Sequence, residues 1–179
     1  MQRRRVLIVD GYNVIRNNGR YIALGPDYEG GSAWNDAREA LVNDAAYLAS
    51  AEDYERCTVV FDGAGNPNST GRPEHRRGVD VVFSKAGKSA DSVIEQLAFA
   101  ARERGCEVVV VSSDFTVQST VFGGGVTRMS AASFATASAH LEQSWHEDAR
   151  SPKHVRNTVA ERVSPETLEK LKALRDGTA

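Results

Sequence analysis

The chain has 179 residues, 41% of them hydrophobic, with a formal net charge of −2 and a pI of about 6.1. That length holds one sizeable core and a short appendage rather than two independent domains, and the charge excludes a global positive field, so any nucleic-acid site must be a local patch. No apolar run approaches the roughly 18 residues of a membrane span, and the basic start leads straight into a short strand rather than a signal-peptide core; the expected location is the cytoplasm, with no membrane partner.

The first element is the run VLIV at 6–9, followed by Asp10, Gly11, Tyr12 and Asn13. Residues 17–31 read as a long loop, and a helix is predicted over 32–51, where Ala37, Leu41, Ala45 and Leu48 recur at spacings of four and three. The run TVVF at 58–61 leads into Asp62, and 63–78 reads as a second long loop rich in Gly, Asn, Pro and Arg. VDVVF at 79–83 is the next strand. A helix over 89–104 follows, with Val93, Leu97 and Ala100 on one face, and then EVVVVSS at 107–113, which leads into Asp114. GVTRM at 125–129 is a candidate fifth strand, and Ser130 can cap a helix over about 131–147. The triple glycine 123–125 reads as a turn, because it lacks the Lys-Ser/Thr of a phosphate loop. Cys57 and Cys106 each open an apolar run and read as buried free thiols.

Runs rich in Val and Ile without polar alternation suit strands covered on both faces. Their alternation with helices predicts an α/β fold, a three-layer sandwich with a central, mainly parallel sheet and right-handed crossovers. Residues 1–147 form the predicted domain. From 148 the composition changes, and Ser164, Pro165, Glu166 and Gly177 mark a short closing helix within a C-terminal tail, 148–179.

Asp10, Asp62 and Asp114 each follow a strand. Side chains at the carboxyl ends of an open parallel sheet face the crevice where ligands bind, so the three converge on one edge; Asp91, at the start of the 89–104 helix, comes to the same edge. Singly, each reads as a turn former or a helix cap. Together they repel one another and call for cations. Carboxylates with water in the remaining positions suit Mg²⁺ or Mn²⁺, and the lack of a Cys/His cluster argues against zinc. Gly11 lets the backbone turn sharply beside this edge, Tyr12 reads as packing, and Asn13 either orients a water or phosphate or caps a helix. Ser112 and Ser113 read as the end of their strand. Arg72, Arg76 and Arg77 in the long loop, with Lys85 and Lys88, form the densest positive stretch near the edge; they read either as phosphate contacts or as a solvated face.

The ordered set DGYN (10–13), the AR pair (37–38), VVFD (59–62), VVFSKAGKSADSVIE (81–95) and SSDFTVQ (112–118) resembles an NYN domain of the YacP-like branch of the PIN-like nuclease superfamily, over about residues 4–145. The resemblance implies a metal-dependent ribonuclease whose bacterial relatives cleave messenger RNA in association with the ribosome, which makes RNA and the ribosome the expected partners. It implies a catalytic, metal-binding set of Asp10, Asp62, Asp91 and Asp114, with Asn13 beside it, and Mg²⁺ or Mn²⁺ as cofactor. Arg38 resembles a family residue near the site, where it bridges carboxylates or meets a phosphate; its other reading is a structural ion pair. An alternative class is a non-catalytic RNA- or ribosome-binding module, which the loss of an acidic position would favour. A phosphatase with Asp10 as nucleophile would be expected to carry a second Asp where Tyr12 stands.

Overall fold

The computed structural model describes residues 4–25, 34–63, 69–114 and 126–150, the last with side chains through Leu141. Its elements in order are β1 (Arg5–Asp10), α1 (Gly11–Arg16), α2 (Gly19–Ile22), α3 (Asn35–Ala51), β2 (Arg56–Phe61), β3 (Pro73–Arg76), β4 (Val79–Phe83), α4 (Ala90–Glu103), β5 (Glu107–Val111), β6 (Val126–Met129) and α5 (Ala131–Arg150). The chain forms two compact units, Met1–Glu142 and Gln143–Ala179. The triple glycine and the closing helix expected around 164–177 lie outside the described residues.

The six strands form one sheet in the order β3-β4-β2-β1-β5-β6. Every neighbouring pair is parallel except β3 with β4. Because side chains alternate along a strand, each parallel strand serves two cores. Leu7, Val9, Val59, Phe61, Val79, Val81, Val109 and Val111 face α1, α2, α3 and the start of α5. Val6, Ile8, Val60, Val108 and Val110 face α4. This is the α/β three-layer sandwich that unbroken Val/Ile runs require.

Local chemistry differs from the sequence reading in three places. On α4 the buried stripe is Ala90, Ile94, Ala98 and Ala101, rather than the face of Val93, Leu97 and Ala100. Small residues sit against the sheet, and Phe99 is left 63% exposed. The loop 17–31 holds the short helix α2, capped by Asn18. The loop 63–78 holds β3, an edge strand whose four residues are all exposed, so it carries no hydrophobic alternation to read. Its hairpin turn is Arg77-Gly78, both at positive φ (51° and 82°), as a two-residue turn of the primed type demands. The thiols of Cys57 and Cys106 are free and buried, and burial pushes Cys57 up to about 12.

Helix α1 starts immediately after β1, with Asp10 as its N-cap. A Cβ on Gly11 would overlap the Phe61 ring, so glycine is needed here for close approach to β2 rather than for its backbone freedom. That ring also meets Tyr12 edge-on at 5.1 Å and stacks on Phe83 at 5.3 Å. Replacing Gly11 by Ala is expected to destabilise the fold by about 1–3 kcal/mol through overpacking, and Phe61→Leu in the same chain should recover part of the loss. Chemical denaturation of the single and double variants measures this; a Gly11→Ala protein as stable as wild type would show that the ring moves aside freely.

Candidate active site

The register of the sheet determines which side chains meet at its carboxyl edge. Asp10 belongs to the set Val6–Ile8–Asp10 that faces α4, and Asp62 continues the set Thr58–Val60 on the same face. Val9 pairs with Val111, and Phe61 with Phe83. One step further along each pair, Ser112 comes beside Asp10 and Ser84 beside Asp62, both on the α4 face.

Hydrogen bonds confirm these placements. Ser112 Oγ donates to Asp10 Oδ2 at 3.3 Å and accepts from the Asp114 N–H at 3.1 Å. Ser84 Oγ donates to Asp62 Oδ1 at 3.4 Å and accepts from the Gly63 N–H at 2.9 Å. Both hydroxyls are buried. Asp10 Oδ1 accepts from the Asn13 N–H at 3.2 Å, while Asn13 Oδ1 accepts from the Ser113 N–H at 2.7 Å. Thus Asn13 is not a cap; Asp10 caps its helix, and the Asn13 side chain ties α1 to the end of β5. Ser113 Oγ accepts from the Ala131 N–H at 3.1 Å, which fastens the start of α5 to the same edge. Ser84, Ser112 and Ser113 were read as ordinary strand ends or passed over. Their signal is parity, since Ser84 and Ser112 share the face of the carboxylate on the neighbouring strand.

Asp91 lies in the first turn of α4, whose N-cap is Ser89. Burial pushes Asp91 above its ordinary value, and the charges of Asp114, Asp62 and Glu95 push it the same way. Asp10 is 7% exposed. Burial, reinforced by Asp91 and Asp114, raises it to about 6 against the lowering effect of the Asn13 and Ser112 hydrogen bonds. The sequence-selected aspartates are thus linked through space: Asp91 and Asp114 raise Asp10, and Asp114 and Asp62 raise Asp91. Among the described residues, no three His, Cys, Asp or Glu side chains form a group that could enclose a metal ion. An all-oxygen set that is coupled but not closed fits a hydrated cation such as Mg²⁺, which keeps several waters and needs only one or two carboxylates in direct contact.

The basic residues divide. Lys85 and Lys88 are exposed in the connection from β4 to α4, on the carboxylate edge. Gly71 abuts Lys85, which brings Arg72 to the same end of the hairpin. Arg76 pairs with Val79 in the sheet, so Arg76 and Arg77 sit at the amino end of β4, a strand length of about 13 Å from its carboxyl end. Arg76 is engaged by Glu39 at 2.5 Å and Glu74 at 2.9 Å. Arg38 lies on the α3 side, donating to Tyr12 Oη at 2.8 Å and to Asn35. Tyr12 also packs on Phe61 and lies under the Arg16 guanidinium, 5.7 Å from the ring centre.

The family model of the YacP-like NYN domain matches residues 7–176. The chain is 35% identical to the Bacillus subtilis protein YacP over 126 residues, 70% of each chain. It also resembles the crystal structure of Rae1 (YacP) from Bacillus subtilis, with a TM-score of 0.69 at 28% identity, over 96% of this chain and 95% of that one. A mutant of the same protein gives a TM-score of 0.65 at 30% identity, over 81% and 80% of the two chains. The chain belongs to the YacP-like NYN domain family. The match runs past residue 145, where the resemblance read from the sequence stopped, so the C-terminal segment is part of the family pattern. No helix among the described residues is long and apolar enough to cross a membrane.

Because the Asp10 value is raised from 3.8 to about 6, the folded protein holds its proton more tightly than the unfolded chain between those values. Stability from this group is present below about pH 4 and is lost as pH rises to about 6. In chelated buffer, Asp10→Asn is expected to be more stable than wild type at pH 7 by on the order of 2–3 kcal/mol, with the gap shrinking toward pH 4. Denaturant unfolding of both proteins across that range measures the difference. A gap that does not change with pH would contradict it.

Proposed function

We propose that this chain is a metal-dependent ribonuclease that hydrolyses phosphodiester bonds within RNA strands, with messenger RNA as its substrate and the ribosome as the assembly on which it acts. The observation that carries the reading is the carboxylate edge: Asp91 and Asp114 act on the buried Asp10, and Asp62 and Asp114 act on Asp91, each disfavouring the bare negative charge that a bound cation would offset. Family membership supports RNA as the polymer and the ribosome as partner. Free, buried thiols at Cys57 and Cys106 suit a reducing compartment, in keeping with the cytoplasm.

Asp10, Asp62, Asp91 and Asp114 would hold Mg²⁺ or Mn²⁺, which when bound supplies charge neutralisation at the phosphate and a water acidic enough to attack it. The protein's own groups do the rest. Ser112 and Ser84 hold the carboxylates of Asp10 and Asp62 in fixed rotamers. Asn13, locked through Oδ1 by Ser113, turns its amide nitrogen to a phosphate oxygen. Lys85, Lys88 and Arg72 hold phosphates on the β4 side of the scissile bond, as point charges that fix register without reading sequence. Arg38 acts from the α3 side by holding the Tyr12 hydroxyl. Arg76 and Arg77, at the far end of β4, serve the hairpin rather than the scissile phosphate.

Purified protein incubated with end-labelled RNA and DNA is expected to cut RNA internally when Mg²⁺ or Mn²⁺ is present and to cut nothing after chelation. Asp91→Asn and Asp114→Asn should each lose on the order of a hundredfold or more in rate while keeping the fold. Activity undiminished by exhaustive chelation would overturn the mechanism. Tight RNA binding without turnover in either ion would assign the chain to a non-catalytic binding module.

A further inference from the structure

We propose that Arg128 forms a second phosphate site, across the carboxylate edge from Lys85 and Lys88, that holds the backbone of single-stranded RNA on the other side of the scissile bond. This rests on the ribonuclease reading above. Arg128 lies on β6 opposite Val110 of β5, in the set of residues that faces α4. Its Nε donates to the Ser112 carbonyl oxygen at 3.3 Å, which places the guanidinium beside the residue whose hydroxyl holds Asp10 and receives the Asp114 N–H. Arg128 has no carboxylate partner within ion-pair distance among the described residues, unlike Arg4, Arg5, Arg20, Arg56 and Arg76. Among the described residues no hydrogen bond or ion pair engages its Nη groups, and the Nε hydrogen bond fixes where they sit.

The sheet order places the strands that end in Asp62 and Asp10, and the one that leads to Asp114, between β4 and β6. Lys85 and Arg128 thus come from strands on either side of the acidic cluster, four strand spacings or about 19 Å apart across the sheet. A polyanion crossing such an edge meets a cation before the carboxylates and another after them, the arrangement a phosphodiester needs to approach a negative cluster.

The test uses full-length Asp91→Asn protein in Mg²⁺ as the non-cleaving parent, and short single-stranded RNA as the probe, with binding measured at several salt concentrations. Adding Arg128→Ala is expected to weaken binding by roughly three- to tenfold and to lower the salt slope by about 0.7. Adding Arg128→Lys instead should restore most of the slope, because the charge remains while the Ser112 hydrogen bond is lost; thermal unfolding of each variant is recorded alongside. If the parent binds no RNA, the ribonuclease reading falls and this site with it. If the parent binds but Arg128→Ala leaves affinity and slope unchanged, or if Ala and Lys lower stability alike while neither changes the slope, Arg128 is only a brace for Ser112 and this proposal alone is overturned.

Discussion

In a parallel sheet, residues of the same parity on adjacent strands share a face. In this chain that constraint brings polar groups from four neighbouring strands to one edge, under the amino end of α4. Asp10, Asp62, Ser84 and Ser112 follow from the register alone, and Asp91 is added because α4 packs against that face through Ala90 and Ile94. Moving any one strand by a single residue would send its polar terminus into the opposite core, between Phe61, Val14 and Ile15. The site therefore depends on the same register that buries Leu7, Val9, Val59 and Val111.

Electrostatic strain is the consequence of that convergence. Asp10 serves two purposes that conflict: its carboxylate caps α1, which favours the charged form, while burial and the neighbouring aspartates disfavour it. Burial and repulsion win over two hydrogen bonds, which is why its value rises rather than falls. The serines limit the damage by holding the carboxylates in place without adding charge, and Gly11 lets α1 pack close enough to Phe61 for the cap to form beside β2. Proton uptake by Asp10 relieves the strain at low pH; at neutral pH an added cation would do so, and the oxygen-only set favours a hydrated one.

The layers and the four aspartates were legible because each is announced locally: unbroken Val and Ile runs for the buried strands, and an Asp at or just after three of them. Strand β3 was hidden because Pro73, Glu74, His75 and Arg76 are all exposed and so show no alternation, and because Arg77-Gly78 is not among the strong hairpin dipeptides. That omission placed Arg76 and Arg77 with the carboxylates, when the hairpin carries them to the other end of β4. Ser84, Ser112 and Arg128 were hidden for a different reason. A hydroxyl or a guanidinium at a strand end has no signature until the register with its neighbours is known, and register is a property of strand pairs.

If the carboxylate edge is a strained site that a divalent cation completes, the ion must bind the native state and stabilise it by mass action. Thermal unfolding of wild type and Asp10→Asn, titrated with MgCl₂ or MnCl₂ against KCl at matched ionic strength, tests this without reference to any substrate. The account requires Tm to rise with divalent concentration in wild type, well beyond the KCl control, and to rise much less in the variant. Equal responses to K⁺ and to the divalent ions, or equal responses of the two proteins, would contradict it.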